Sequence, residues 1–243
     1  HIVGMAAGLA LEGFIPYVNT IATFLTRRCF EQNVLDLGLH NTNVRLISNG
    51  GGTVYAPLGP THLAIEDIAI MRSIPNMTIV SPADADEMRR FMMQTLEYEG
   101  PIYIRLGKGY DPIVTSDALP FEIGKAIHIR EGTDLLIVTT GISLGLALEA
   151  ANELEKNKIN SSVLHVHTIK PFDKESLINI VEKVPAIITL EEHTIVGGLG
   201  SACAEVILEE GFEDKKSFKR IGIPDIFPSG YGNQKDMMSR NGI

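Results

Sequence analysis

The feature that most constrains this chain is a change of hydrophobic period that recurs along its length. Short runs rich in β-branched residues alternate with longer runs whose apolar positions fall three and four apart. Such alternation implies strands joined by helical crossovers, hence an α/β fold with mainly parallel sheets. In the first part, residues 14–20, 44–48, 78–80 and 101–105 read as strands, with helices over 1–11, 24–39 and 61–74. Pro75 stops the last of these helices, because proline cannot continue the hydrogen-bond ladder. Ser81 reads as the cap of a further helix with Pro82 at its first position, and Met88, Phe91 and Met92 form its apolar stripe.

Periodicity fails near Gly107 and returns after Phe121, which places a linker at 109–122 between a unit spanning 1–108 and a second spanning 123–243. The second unit repeats the pattern, with strands over 135–140, 162–168, 186–190 and 218–221 and helices over 142–156, 173–184 and 200–210. Leu177, Ile180, Val181 and Val184 mark one helix face. The expectation is two three-layer α/β/α domains with mainly parallel sheets.

Composition narrows the partners. A net charge of −9 without a basic run argues against nucleic acid and anionic membrane surfaces, while leaving small anionic substrates open. Apolar stretches are interrupted well short of the roughly 20 residues that a membrane span needs. Residues 1–11 are small and apolar on every side and lack a basic lead, so they read as a helix buried in a core or an interface rather than a signal peptide. The first residue is His rather than Met, and the chain is expected to begin inside a longer polypeptide. Cys29 and Cys203 read as two free thiols of a reducing cytoplasm.

Taken alone, the polar residues offer several weak signals. Gly50-Gly51-Gly52 follows a strand, and Gly197-Gly198-Leu199-Gly200 precedes a helix; each is read either as an anion loop or as a tight turn. His62 beside Thr61 could be structural or catalytic, with Arg27, Arg28 and Arg105 as cationic neighbours suited to phosphate or carboxylate. Glu191-Glu192-His193 reads as a strand-end network that holds the second glycine loop. His165 and His167 alternate on one strand, but no third ligand is evident, so no metal site is expected.

One block is far more specific. Residues 59–77, Gly-Pro-Thr-His-Leu-Ala-Ile-Glu-Asp-Ile-Ala-Ile-Met-Arg-Ser-Ile-Pro-Asn-Met, are very similar to the signature of the transketolase family. The similarity continues through Ser81-Pro82-Ala83-Asp84-Ala85 and 100–107, and on through Gly124-Lys125-Ala126, 191–200 and Pro224-Asp225-Ile226-Phe227. The chain resembles the family's pyrimidine-binding and C-terminal domains, close to separate C-terminal transketolase subunits and deoxyxylulose-phosphate synthase.

The resemblance implies a cofactor, thiamine diphosphate with Mg²⁺, whose diphosphate and metal are held by a domain absent from this chain. It implies a homo-oligomer or a separate diphosphate-binding chain as partner, and transfer of a two-carbon ketol or acyl unit from a ketose or 2-oxo acid to an aldehyde. The family's cofactor-activating glutamate would lie just upstream of His1. Phe24 matches an aromatic that covers the pyrimidine, and Ile21 a second such position that cannot stack. His62 matches a substrate-binding histidine near the thiazolium, and Arg105 a phosphate-binding arginine, with Arg28 a further cation. Phe30 and Glu31 match an aromatic–acid pair for which core packing is the simpler reading. Two positions depart from the pattern: a family histidine is Gly50 here, and a family aspartate that reads a substrate hydroxyl is Leu58. Leu58 cannot accept that hydrogen bond, which argues against ordinary pentose phosphates as donors. A decarboxylating subunit like the β chain of 2-oxo acid dehydrogenases and a catalytically silent structural partner are the alternatives.

Overall fold

The computed structural model describes residues 1–212, 216–230 and 232–243. Its strands are β1 (Tyr17–Ile21), β2 (Arg45–Asn49), β3 (Thr78–Val80), β4 (Ile102–Leu106), β5 (Ile127–Arg130), β6 (Leu135–Thr139), β7 (Ser161–His165), β8 (Thr168–Lys170), β9 (Ala186–Thr194) and β10 (Ser217–Ile223). They form two sheets of order β1-β2-β4-β3-β8 and β10-β9-β6-β7-β5. Pairing is parallel except for β8 against β3 and β5 against β7. The helices are α1 (Ile2–Leu11), α2 (Ala22–Leu25), α3 (Phe30–Gln32), α4 (Asp67–Arg72), α5 (Ala85–Gln94), α6 (Ser143–Lys156), α7 (Lys174–Val181), α8 (Leu199–Glu209) and α9 (Gln234–Arg240).

Strand alternation explains the layering. Leu46, Ile79 and Tyr103 point into one core with Val3, Leu37 and Ile68 from the helices, while Ile47, Val80, Ile102 and Ile104 face the other side, against Phe91 of α5. The second sheet does the same, with Leu136, Val138 and Leu164 toward α7 and α8, and Leu135, Ile137 and Val163 toward α6. Each sheet is therefore covered on both faces, the arrangement that parallel sheets require.

Four expectations need correction. The helix expected over 24–39 is broken into α2, a 3₁₀ turn at Arg27–Cys29, α3 and a π-helical stretch at Asn33–Leu39. Thr26 departs from helical dihedrals at φ −107°, ψ −94°, and the carbonyl of Leu25 accepts a bond from buried Asn33 Nδ2 at 2.7 Å instead. The helix expected over 61–74 is helical only in α4, because Ala64 is drawn into backbone bonds with Gly52 in both directions. Asp84, rather than Ser81, caps α5, accepting from the Glu87 N–H at 2.9 Å. The strand expected over 162–168 divides between two sheets, β7 in one and β8 in the other. Helix α1 buries Val3, Ala6 and Ala7 within this chain and leaves Ile2, Met5, Leu9 and Leu11 exposed.

The segment 109–122 is coil, and it is strapped to α5. Asp84 Oδ2 accepts from the N–H groups of Val114 and Thr115 at 2.7 Å each, and Arg90 donates to Leu119 O at 2.5 Å and Thr115 Oγ1 at 2.8 Å. Burial would raise the Asp84 carboxyl, but the bonds from Glu87, Val114 and Thr115 hold it below the usual carboxylate range. Under the strap, Phe121 stacks on His167 at 3.9 Å, and Glu87 of α5 meets His165 Nε2 at 2.9 Å. Desolvation opposes the charge on Glu87, yet His165, His167 and the Ala83 N–H together outweigh it and keep the carboxyl below its ordinary value.

Candidate functional site

The C-terminal ends of β1, β2 and β4 open on one edge of the first sheet, the edge where open parallel sheets bind ligands. The loops there are joined to one another. Gly50 N–H donates to Gly107 O at 3.1 Å, Gly51 N–H to Leu106 O at 2.8 Å, and Gly52 N–H to Ala64 O at 2.7 Å. The first glycine loop thus spends its N–H groups internally and is a tight turn.

Its underside is polar and closed. Thr53 donates through N and Oγ1 to Glu192 Oε1 at 2.7 and 2.5 Å, and Gln234 Nε2 of α9 donates to the same carboxylate at 2.8 and 3.0 Å. Burial pushes the Glu192 carboxyl up despite these donors. Arg105 sits beside it, buried, with Nε on Asp67 Oδ2 at 2.8 Å and Nη2 on Glu192 O at 2.9 Å. Tyr103 donates its hydroxyl to the same Asp67 oxygen at 2.7 Å. A buried guanidinium needs such partners, and they hold Arg105 beneath the loop rather than at an accessible surface.

The accessible face is made by other side chains. Phe24 on α2 is half-buried; the Arg28 guanidinium lies 3.9 Å from its ring centroid, and the His62 ring meets it edge-on at 5.6 Å. His62 Nδ1 pairs with Thr61 Oγ1 at 2.9 Å, which leaves Nε2 as the ring atom directed elsewhere. Arg27 is occupied by Glu66 at 3.0 Å and by the carbonyls of Thr61 and Leu63. Thr23, Phe24, Arg27, Arg28 and Thr61 line an open pocket of about 330 Å³. Ile21 is half-buried at the head of α2, and Leu58 is 53% exposed. Gly50 directly follows β2 at φ +77°, a conformation that favours glycine. Phe30 packs on the first core, leaving Glu31 in solvent.

The structure therefore gathers Phe24, Arg28 and His62, places Ile21 at the head of the helix that carries Phe24, and buries Arg105 beneath the loop. Lys108, which sequence reasoning does not single out, stands just past the end of β4, 5.7 Å from the Tyr55 ring centroid. A signal for it exists: a lysine between Gly107 and Gly109, directly after a strand. Among the described residues, no group of three or more His, Cys, Asp or Glu side chains is arranged to hold a metal. No helix among them is long and apolar enough to cross a membrane.

Residues 1–110 match the model of the transketolase pyrimidine binding domain, and residues 124–239 that of the transketolase C-terminal domain. The chain belongs to the transketolase family. Within it, the chain is a transketolase-like subunit. It is 38% identical to the 6-deoxy-6-sulfo-D-fructose transketolase subunit SqwH of Clostridium sp. (strain MSTE9), over 93% of this chain and 70% of that protein. It is 37% identical to an apulose-4-phosphate transketolase subunit of Actinobacillus succinogenes, over 100% of this chain and 77% of that one. A solved split-gene transketolase, described as an inactive beta4 tetramer, superposes with a TM-score of 0.90 at 38% identity, covering 99% of this chain and 76% of its own.

The pocket beside Phe24 has features that would suit a planar heteroaromatic ring. The Phe24 ring already carries a planar guanidinium, its flank opens on the pocket, and Thr23 Oγ1 in the pocket wall is buried with no hydrogen-bond partner.

Proposed function

We propose that this chain supplies the pyrimidine-facing half of a thiamine-diphosphate site. In the assembled enzyme that site transfers a two-carbon ketol or acyl unit from a ketose or 2-oxo acid donor to an aldehyde acceptor. The observation that carries the reading is the Phe24–Arg28–His62 cluster, of which Phe24 and Arg28 line the open pocket and His62 packs edge-on against Phe24. When bound, thiamine diphosphate supplies the nucleophilic carbon that carries the two-carbon unit. Phe24 would stack on its pyrimidine, Ile21 would flank it, and Thr23 would offer its hydroxyl. His62, fixed through Nδ1 by Thr61, presents Nε2 to a donor oxygen and stabilises charge that develops there.

Arg105 is assigned a different task from the one its sequence position suggests. Its guanidinium is engaged by Asp67 and two carbonyls, so it braces the loop, and Lys108 is the cation offered to a substrate anion. Leu58 and Gly50 support a donor that is less polar next to Leu58 than an ordinary pentose phosphate. The diphosphate and Mg²⁺ belong to another domain or chain. The exposed apolar side of α1 supports assembly of this one into an oligomer.

The test is reconstitution of the full-length protein with its diphosphate-binding chain, thiamine diphosphate and Mg²⁺, followed by ketol transfer to an aldehyde. Transfer that needs both chains, and that falls at least about 100-fold in His62→Ala, is the expected result. Turnover of pyruvate without an aldehyde would favour the decarboxylating reading, and efficient use of xylulose 5-phosphate would overturn the donor assignment.

A further inference from the structure

Tyr55 follows the Gly50–Thr53 turn, is half-buried, and has no part in the steps above. A Cβ placed on Gly50 would lie 2.0 Å from Cε2 and 2.3 Å from Cδ2 of the Tyr55 ring. With the ring where it stands, a side chain at position 50 is excluded by overlap. The left-handed backbone of Gly50, at φ +77°, disfavours one as well.

The same ring faces Lys108, whose ammonium lies 5.7 Å from its centroid, within the range of cation–π attraction. Gly50 N–H bonds Gly107 O at 3.1 Å, so the segment carrying Lys108 is tied to the turn beneath the ring. Tyr55 O accepts from Leu58 N–H at 2.8 Å, which fixes the 3₁₀ turn that exposes Leu58. The ring thus fills the space above Gly50 and faces Lys108, while the backbone of the same residue holds the turn that carries Leu58.

We propose that Tyr55 is a specificity-determining residue: it fills the space over Gly50 and seats Lys108, and so selects substrates whose far end carries a tetrahedral oxyanion, a phosphate ester or a sulfonate, over their neutral counterparts. The physical reason is that a lysine on a flexible stem binds an anion better when its position is restricted before binding. This inference rests on the ketol-transfer reading.

The experiment uses the reconstituted holoenzyme and three donors of equal chain length: a ketose phosphate, a ketose sulfonate and a neutral ketose. Wild type prefers at least one anionic donor, and the comparison of the two anions tells phosphate from sulfonate. Tyr55→Phe keeps that preference. Tyr55→Leu keeps bulk over Gly50 but loses the aromatic face; its ratio of anionic to neutral kcat/KM falls about 3- to 10-fold, mainly through KM. Lys108→Met lowers the ratio too, and adding Tyr55→Leu to it lowers it little further, because the two act through one contact. An unchanged ratio in Tyr55→Leu, or fully additive losses in the double variant, overturns the proposal. Transfer by wild type without anion preference overturns this inference alone, whereas no transfer of any donor overturns it together with the reading beneath it.

Discussion

Two glycine loops stand beside parallel strand ends in this chain, and they differ in what surrounds them. The loop after β9 is closed from within. Glu191 receives the N–H groups of Leu199 and Gly200 at 2.7 and 2.8 Å, filling the start of α8 with the protein's own carboxylate. A Cβ on Gly198 would meet that carboxylate at 2.1 Å, and one on Gly197 would meet Ala69 at 2.8 Å. The loop after β2 is equally saturated along its backbone, yet half-buried or exposed side chains ring its upper side: Phe24, Arg28, Tyr55, Leu58 and His62. Neither loop is an anion cradle. Glycine content alone does not distinguish the two loops; the side chains around them do.

The largest effect expected from this contrast is at the closed loop. Glu191→Ala leaves two buried N–H groups without an acceptor and should cost about 3 kcal/mol of stability, read from urea denaturation. A cost under about 1 kcal/mol would show that the loop is held by packing instead.

The joint between the sheets comes next. Burial, and then the neighbouring His165, holds His167 at about 3, against an ordinary 6.5; Glu87 and Asp173 pull it up, and Arg90 pushes it down. Because the folded state resists protonation that the unfolded chain accepts, the contribution of His167 to stability is complete above pH 6.5 and is lost progressively as pH falls toward 3. In thermal melts across that window, His167→Gln should flatten the pH slope, by at most about 1.4 kcal/mol per pH unit. An unchanged slope would remove His167 as its source.

The smallest effect on stability is at the open loop. Leu58→Ala should leave the unfolding free energy within about 0.5 kcal/mol, since the side chain is largely solvated, while changing the ranking of donors by the holoenzyme. A large loss of stability, or an unaltered ranking, would separate Leu58 from the site.

Much of this contrast was legible in the sequence. Elements with one clear period, such as β6, α6 and α7, lie close to their expected positions, since a single buried face determined each. The stretch 24–39 misled because its apolar spacing is helical, whereas buried Asn33 and Thr26 divert the backbone through local hydrogen bonds. The short β5 and α9 carry too little pattern to be read, yet α9 brings Gln234 to Glu192 beneath the site. Phe24 and His62 could be singled out by position along the chain, but the burial of Arg105 could not: Asp67, its ion-pair partner, lies 38 residues away on another element.

The edge strand β8 has a consequence for any attempt to recombine this chain with its relatives. Residues Thr168–Lys170 complete the sheet of the first unit although they lie inside the second. Lys170 Nζ also ties down the carbonyls of Arg72 and Ile74. A chimera cut at 109–122 therefore does not exchange one intact module for another. It grafts a foreign strand onto the host's β3, so matching of residues 168–170 to Ile79 and Val80 governs which hybrids fold.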